Sequence, residues 1–347
     1  MSARSQVPFS APERVILGIE TSCDETAAAV LVEGQLRAHV VSSQLDHRAY
    51  GGVVPELASR AHERRIVPVV QNALEQAGLA PVDLTAIAVT YGPGLIGSLM
   101  VGVNFAKGMA SALGIPLVGV HHLEGHIYAI FLEPDPPPFP FLCLTVSGGH
   151  TVLVRVEAPL RHRVLGQTRD DAAGEAFDKV AKLLGLEYPG GPALERLAAR
   201  GDRGFVPLPR PRLGGSLDYS FSGLKTSVLY YLKRLPEEER MRLLEAHRAD
   251  IAASFQEAVI AALLDPLLRA AEQTGDRHIV LSGGVAANQA LRRRLEAVCA
   301  ERGWSLHVPR PSFCTDNAAM IAMAGYFRLR AGHRSPLSLA PQATVSL

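Results

Sequence analysis

Three histidines and a glutamate lie within six residues, in the sequence HHLEGH at positions 121–126. On a helix, His122 and His126 lie on one face one turn apart, so both can bind a single metal ion. In zinc proteases with such a pair, the glutamate directly follows the first histidine and activates water. Glu124 instead follows His122 by two residues, about 200° around the helix, and His121 also points away. The pair therefore predicts either a metal site without a protease's general base or two buried, hydrogen-bonded histidines.

A third metal ligand is available in CTDNAAMIA, which begins at Cys314. Asp316 is predicted to lie in the first turn of a helix, where the helix dipole stabilises a carboxylate by about 0.3–1 kcal/mol. Its alternative role is to complete a site with His122 and His126. Two imidazoles and one carboxylate suit Fe²⁺, Zn²⁺ or Mn²⁺ and leave positions open for substrate oxygen.

Two glycine pairs have the spacing of anion-binding turns. Adjacent glycines in SGGHT (147–151) let backbone N–H groups turn toward a phosphate, although a plain tight turn fits the same pattern. In SGGVAAN (282–288) the pair lies between a predicted strand and a predicted helix, where N–H groups favour negative charge. Asn288 can then hydrogen-bond a base or a ribose. A third turn, YGPGLIGS (91–98), is interpreted as structural.

Acidic and basic side chains give weaker signals. In DDAAGEAFDK (170–179), Asp171, Glu175 and Asp178 recur at helical spacing, which indicates either a solvated face or a carboxylate that binds ligand hydroxyls. The lysine of FSGLKT (221–226) is either solvated or in contact with phosphate. A net charge of +1 gives no general polyanion-binding surface, so nucleic acid would need a local patch. The candidates are HERR (62–65), RPR (210–212) and RRR (292–294).

Composition indicates a globular protein with a sizeable core. The chain has 347 residues, 48% of them hydrophobic, and this length suggests about two domains. Its four cysteines lack CxxC spacing, which is typical of reduced thiols, so a cytoplasmic location is expected. The N-terminal residues contain no apolar signal-peptide core, and no run is predicted to reach membrane-span length.

Two hairpins of similar design, about 125 residues apart, suggest a duplicated fold. VILGIETSCDETAAAVLVEG and FLCLTVSGGHTVLVRVEA each consist of a buried strand, a small polar turn and a second strand. The proline-rich EPDPPPFP (133–140) separates the two halves. We therefore predict two related lobes, residues 14–133 and 140–331, whose turns face one cleft, with a last helix able to return to the first lobe. Residues 332–347 are expected to form a mobile tail.

Eight motifs in this order resemble one known family. They are GIETSCDETAAAV, YGGVVPELASRAH, HHLEGH, VSGGHT, DDAAGEAFDKVAKLLGL with YPGGP, FSGLKT, SGGVAAN and CTDNAAMIA. Together they closely resemble the bacterial tRNA N6-adenosine threonylcarbamoyltransferase family, once labelled O-sialoglycoprotein endopeptidases. The resemblance runs from about Val15 to Arg330, nearly the whole chain, with no departure at the motif positions.

The resemblance implies an α/β fold of the actin/Hsp70/sugar-kinase-like (ASKHA) type, with two ribonuclease-H-like lobes around a nucleotide cleft. It implies one divalent metal per subunit, with Fe²⁺ favoured and Zn²⁺ possible, held by His122, His126 and Asp316. It also implies that Asp24 faces the reacting group, with an Asx-type turn residue as the alternative. The residues that match the family's carbamoyl-adenylate site are Thr145, Val146, Ser147, Gly148, Gly149, Asp178, Gly191 and Asn288.

The reaction implied by the resemblance is acyl transfer to tRNA. Threonylcarbamoyl-AMP would give its threonylcarbamoyl group to the exocyclic amine of adenosine 37, in tRNAs that read codons beginning with adenine, and release AMP. The implied partners are tRNA, a TsaB-like paralogue of similar fold and a TsaE-like P-loop ATPase, with no membrane. Two other functions suit the same fold: an ATPase or phosphotransferase, and a nucleotide-gated binding module without chemistry. Neither needs imidazole ligands.

Overall fold

The computed structural model describes residues 13–44, 52–209 and 213–347, and its first sheet lies in the N-terminal half. The strands of this sheet are β1 (Val15–Glu20), β2 (Glu25–Val32), β3 (Gln35–Ser43), β4 (Ala86–Gly92) and β5 (Leu117–His121). Across the sheet their order is β3-β2-β1-β4-β5. β1 pairs antiparallel with β2 and parallel with β4, so the opening hairpin continues into a parallel sheet.

The second sheet repeats this plan. Its strands are β6 (Phe141–Val146), β7 (Thr151–Ala158), β8 (Arg161–Gln167), β9 (His278–Ser282) and β10 (Ser305–His307). Their order is β8-β7-β6-β9-β10, and β6 pairs antiparallel with β7 and parallel with β9. Because both sheets have the same order and the same strand directions, the predicted duplication is confirmed.

Helices cover the sheets on both faces, which explains why β1 and β4 are almost continuous buried apolar runs. They are α1 (Pro55–Ala77), α2 (Ile96–Leu113), α3 (His122–Tyr128), α4 (Ala173–Leu183), α5 (Gly190–Ala198), α6 (Ser222–Lys233), α7 (Glu237–Thr274), α8 (Gln289–Arg302), α9 (Pro311–Cys314) and α10 (Ala318–Arg330). In the first lobe, α1 and α2 pack on one face of the sheet and α10 packs on the other.

The return of α10 to the first lobe depends on close backbone contact. A Cβ atom on Gly18 of β1 would lie 2.4 Å from the Ala318 carbonyl oxygen, and one on Gly325 would lie 2.4 Å from the Cβ of Ala88. Glycine at both positions therefore lets the helix lie directly on the sheet. This contact brings Asp316, which just precedes α10, to the first lobe.

Two helices, α2 and α7, are long and apolar enough to cross a membrane by length and composition alone. The expectation that no run reaches this length is therefore wrong. The apolar window of α7 is 72% buried inside the protein, and that of α2 is 33% buried while the helix packs on α1 and β4. A core helix of a globular protein meets the same criterion, so these lengths are weak evidence for a membrane span.

Residues 332–347, expected to be a mobile tail, lie instead along the first sheet. Ser335 forms an antiparallel bridge with Leu117 of β5, and the Gln342 N–H donates to the Tyr91 carbonyl oxygen at 2.8 Å. These contacts are made by backbone groups, which are the same for most residue types, so no sequence pattern predicts them.

The turn after β9 requires a glycine. Gly283 has φ +86° and ψ 164°, a region in which side chains are strained, and a Cβ there would lie 2.4 Å from the Val146 carbonyl oxygen. We expect Gly283→Ala to lower the free energy of unfolding by at least about 1–3 kcal/mol, measured by urea denaturation. Gly284→Ala is the control, because a Cβ there meets no atom within 4 Å among the described residues. Equal stability of the two variants would contradict this explanation.

Candidate metal and nucleotide site

A cleft between the lobes opens where the turns of both hairpins meet. The cleft contains a cavity of about 500 Å³, called the main cavity below. Its lining includes Asp24 from the first turn and residues 147–149 from the second. A smaller cavity of about 220 Å³ adjoins it, and Gly148, Asp178 and Gly284 line both. The two hairpin turns therefore face the same cavity, and the smaller cavity lies beside it.

Three potential metal ligands meet at the wall of this cleft. Nε2 of His126 lies 3.1 Å from Oδ1 of Asp316, and Nε2 of His122 lies 3.5 Å from the same oxygen. All three ligand atoms are within 4.8 Å of one another. Nitrogen and oxygen ligands at about 2.1 Å from one ion lie roughly 3–3.5 Å apart at tetrahedral or octahedral angles. The donor set therefore fits a single divalent metal ion, and the two distances to the Asp316 oxygen are close to these values.

Glu20, at the end of β1, contacts the ring nitrogen of His122 that does not face Asp316. Its fully buried carboxylate lies 3.1 Å from Nδ1 of His122 and accepts hydrogen bonds from the Thr90 hydroxyl at 2.7 Å and the Ser22 N–H at 2.5 Å. A proton on Nδ1, donated to Glu20, leaves Nε2 as the ligand atom. Glu20 was not predicted as a site residue, although it lies within the motif GIETSCDETAAAV.

Negative charge accumulates around the two imidazoles. Burial alone would lower the pKa of His122, but the carboxylates of Asp316 and Glu20 raise that pKa to about 9. Burial raises the pKa of Asp316, but the nearby histidines lower this pKa by more than burial raises it. The carboxyl therefore titrates well below its usual range. Burial, Asp316 and Asp24 raise the pKa of Glu25 to about 10. This environment favours a cation at the site.

The other two polar residues of HHLEGH point away from the metal ligands, as predicted. Glu124 is paired with the Arg328 guanidinium at 2.6 Å. Nδ1 of His121 accepts a hydrogen bond from the Leu123 N–H at 3.2 Å, and Nε2 lies 3.2 Å from the Val345 carbonyl oxygen. Glu124 is therefore not placed to act as the general base of a helix-borne zinc protease.

Asp316 lies two residues before the start of α10, not in its first turn. The first turn of α10 begins at Ala318, and Asn317 is its N-cap, whose side chain accepts from the Met320 N–H at 2.9 Å. Because Asn317 already caps the helix, the Asp316 carboxylate is free to turn toward His122 and His126. The predicted position in the first helical turn is wrong, and the dipole explanation loses its basis.

The SGGHT turn reaches the cleft through only part of the predicted segment. Ser147, Gly148 and Gly149 line the main cavity, and a Cβ on either glycine would meet no described atom within 4 Å. Thr145 and Val146 are buried in β6 and line neither cavity. The Thr145 hydroxyl instead lies 3.0 Å from the Ser282 hydroxyl and joins β6 to β9.

Asp178, Gly191 and Asn288 meet at the smaller cavity. Oδ1 of Asp178 accepts from the Gly190 and Gly191 N–H groups at 2.8 and 3.1 Å, and burial raises the pKa of its carboxyl despite these hydrogen bonds. Oδ1 of Asn288 caps α8, and its Nδ2 donates to Gln256 at 2.8 Å. The amide therefore keeps one N–H for a ligand.

The acidic residues of DDAAGEAFDK (170–179) have two different roles, and Asp171 precedes α4. Glu175 and Asp178 line the main cavity. Asp171 instead lies 2.9 Å from the Lys179 ammonium and 2.8 Å from the Lys225 ammonium. The lysine of FSGLKT is thus part of an ion-paired joint between α4 and α6.

The three basic patches also differ. In HERR, His62 is fully buried, and its ring nitrogens lie 2.8 Å from the Thr26 hydroxyl and 2.9 Å from the Cys23 carbonyl oxygen, which holds the first hairpin turn. In RRR, Arg292 donates to the Ala286 carbonyl oxygen, whereas the two arginines that follow are exposed. RPR (210–212) lies outside the described residues.

One further histidine in the cleft was not predicted. His150 lines the main cavity with its ring 6.2 Å from that of His122, and burial lowers its pKa to about 4. His150 is the histidine of SGGHT, but the adjacent glycines of that motif indicated backbone contacts with a ligand rather than a side-chain contact. Tyr188, from the second lobe, also lines the cleft.

Fold and site together define a class: a two-lobed α/β protein of the ASKHA type with a candidate divalent metal site in its cleft. Full-length HypF, solved in a phosphate- and nucleotide-bound form, is similar in fold with a TM-score of 0.59. The match covers 92% of this chain and 55% of HypF at 15% identity, so it supports the fold alone. The predicted ASKHA fold is confirmed.

Sequence comparison identifies the family. The family model for TsaD, tRNA N6-adenosine threonylcarbamoyltransferase, matches residues 35–323. A protein of that name from Salinibacter ruber is 57% identical over 96% of this chain and 100% of its own length. Another from Symbiobacterium thermophilum is 54% identical over 94% of this chain and 95% of its own length. The chain belongs to the TsaD family and is a transferase that modifies tRNA.

Proposed function

We propose that this transferase moves the threonylcarbamoyl group of threonylcarbamoyl-AMP to the exocyclic amine of adenosine 37, in tRNAs that read codons beginning with adenine, and releases AMP. The observation that carries this choice of donor is that the two cavities adjoin and share three lining residues, Gly148, Asp178 and Gly284. The larger one is lined by His122, Asp316 and residues 147–150, and the smaller one is lined by Asp178, Gly191 and Asn288. An adenylate has two matching parts, an acyl phosphate and a nucleoside.

Each part of the cleft has a role in this proposal. His122, His126 and Asp316 would hold a divalent ion, Fe²⁺ by preference and otherwise Zn²⁺, which would supply positive charge to phosphate or carbonyl oxygen. The backbone N–H groups of residues 147–149 hold the same part of the donor from the second lobe and orient its carbonyl. Their open glycines allow this close approach. Gly191 and the remaining N–H of Asn288 contact the nucleoside.

Asp24 is proposed to orient the attacking amine or to accept its proton late in the transfer. Its support is its position in the main cavity, on the turn that faces the glycine turn of the other lobe. We expect Asp24→Ala to lower the single-turnover transfer rate by about 10²-fold, in the range of general base effects, with bound metal unchanged. Full transfer activity in a metal-loaded variant would remove this role.

The proposed partners are tRNA, a TsaB-like paralogue of similar fold and a TsaE-like P-loop ATPase, and the proposed location is the cytoplasm. Family membership supports tRNA as the acceptor. Arg293 and Arg294, both exposed at α8, are candidates for phosphate contact.

The experiment that tests this function combines the purified protein, its two partner proteins, unmodified tRNA and threonylcarbamoyl-AMP, followed by nucleoside analysis of the tRNA. We expect threonylcarbamoyladenosine with the wild-type protein and none above background with His122→Ala. Phosphoryl transfer or ATP hydrolysis by this chain without tRNA modification would instead support the phosphotransferase alternative. Peptide cleavage would contradict both.

A further inference from the structure

His121, the histidine of HHLEGH that binds no metal in the proposed site, joins two distant segments. The Leu123 N–H can only donate, so Nδ1 of His121 must accept in their 3.2 Å contact. The Val345 carbonyl oxygen can only accept, so Nε2 must carry the proton in the other 3.2 Å contact. One neutral tautomer satisfies both contacts, and the buried ring is fixed at both ends.

The segment that contains Val345 is closely seated on the first lobe. We call residues 332–347 the C-terminal segment. The Ser335 N–H donates to the Leu117 carbonyl oxygen at 2.7 Å, and the Ser335 hydroxyl accepts from the Gly119 N–H at 2.9 Å. A Cβ on Gly119 would lie 2.9 Å from the Leu339 side chain. β5, which leads directly into the metal-ligand helix, therefore has the segment packed along it.

Farther along, the segment reaches the cleft itself. The Gly94 N–H donates to the Ala343 carbonyl oxygen at 3.1 Å, and Ala343 lines the main cavity. A Cβ on Gly92 would lie 2.3 Å from the Gln342 carbonyl oxygen, so this crossing needs glycine. The segment is thus in backbone contact with the ends of both β4 and β5 before it meets His121.

We propose that His121 is a positioning residue for the metal site, and that the C-terminal segment fixes it through the Val345 carbonyl oxygen. α3 is only seven residues long, and such a short helix depends on its cap and its surroundings. The cap of α3 is His121, and the next residue along the chain is the ligand His122. Loss of the Val345 contact frees the His121 ring, weakens the cap and loosens the ligand pair.

The proposal rests on the metal site of the proposed function, and its test therefore uses two measurements. The first is the affinity of the metal-free protein for Fe²⁺ and Zn²⁺, by competition with a chromophoric chelator. The second is hydrogen exchange of the backbone amides of α3, which does not require metal. The variants are a protein shortened after residue 344, which loses Val345 but keeps the backbone contacts of Gln342 and Ala343, His121→Asn, and the two changes combined. Asparagine can still cap α3 with its side-chain oxygen but is too short to reach Val345.

We expect each single change to weaken metal binding by about tenfold, in the lower range for residues that orient a ligand, and to speed exchange in α3. Because both changes remove the same contact between His121 and Val345, the combined variant should bind metal no more weakly than the weaker of the two single variants. Leu337→Ala is the control, since this side chain of the same segment is 53% exposed, and we expect wild-type affinity and exchange.

Wild-type affinity and α3 exchange in His121→Asn would overturn the proposal, as would additive effects of the two changes. If the shortened protein does not fold, His121→Asn alone decides through the same two measurements. Absence of metal binding by the wild-type protein would count against the metal site, and hydrogen exchange would then decide the role of His121 separately.

Discussion

His126→Ala is expected to abolish stoichiometric metal binding and to lower the single-turnover transfer rate by about 10²–10⁴-fold. The range follows from several kcal/mol of charge stabilisation by a bound ion, at about 1.4 kcal/mol per factor of ten. His126 is fully buried, and its Nε2 lies closer to the shared Asp316 oxygen than that of His122 does, so alanine removes one of the three candidate ligands. Metal content by elemental analysis and transfer with saturating donor measure the two effects.

The matched control for this prediction is His333→Ala, which removes an exposed histidine. It should keep both metal and transfer. A His126→Ala protein that still transfers at the wild-type rate after metal removal would show that the metal has no part in the reaction. Unchanged melting temperature in the metal-free proteins would exclude misfolding as the cause of a loss.

Glu20→Gln is expected to weaken metal affinity by about 10–100-fold, the effect typical of losing a carboxylate that orients a ligating histidine. The amide keeps the shape of the side chain but loses the charge that faces Nδ1 of His122 at 3.1 Å. Because the three ligands themselves remain, saturating metal should restore much of the transfer rate. Chelator competition gives the affinity, and transfer as a function of metal concentration gives the recovery.

Glu175→Gln is the control for Glu20, since Glu175 lines the main cavity but is paired with Lys179 rather than with a candidate metal ligand. Its metal affinity should stay within about twofold of wild type, since a paired surface carboxylate contributes little. Equal affinities for the two glutamine variants would mean that Glu20 does not orient His122, and that cleft charge alone sets the affinity.

The sequence predicted most of the fold because the buried strands are long apolar runs with clear turns between them. The exceptions have physical causes. β8 has the sequence RHRVLGQ and lies at the edge of the second sheet, where charged side chains hide the strand pattern. α5 begins within YPGGP, whose prolines and glycines indicate a turn, although the helix continues through a buried apolar face.

The candidate site divides in the same way. His122 and His126 were predicted as metal ligands because they lie one helical turn apart. Asp316 was predicted as the third ligand from the motif CTDNAAMIA. Glu20 is 102 residues from the histidine it supports, and Val345 is 224 residues from His121, so no local pattern connects either pair. The contact of Val345 is made by its backbone carbonyl, which its side chain does not reveal. Such contacts follow from the packed fold alone.

The central claim is that the cleft joins loss of AMP to acylation of adenosine. A single-turnover reaction with threonylcarbamoyl-AMP, unmodified tRNA, partner proteins and metal-loaded enzyme measures both products in one sample. We predict one AMP for each threonylcarbamoyladenosine formed, with both lost in His126→Ala. AMP released without modified tRNA, or modified tRNA formed at the same rate by His126→Ala, would contradict the account.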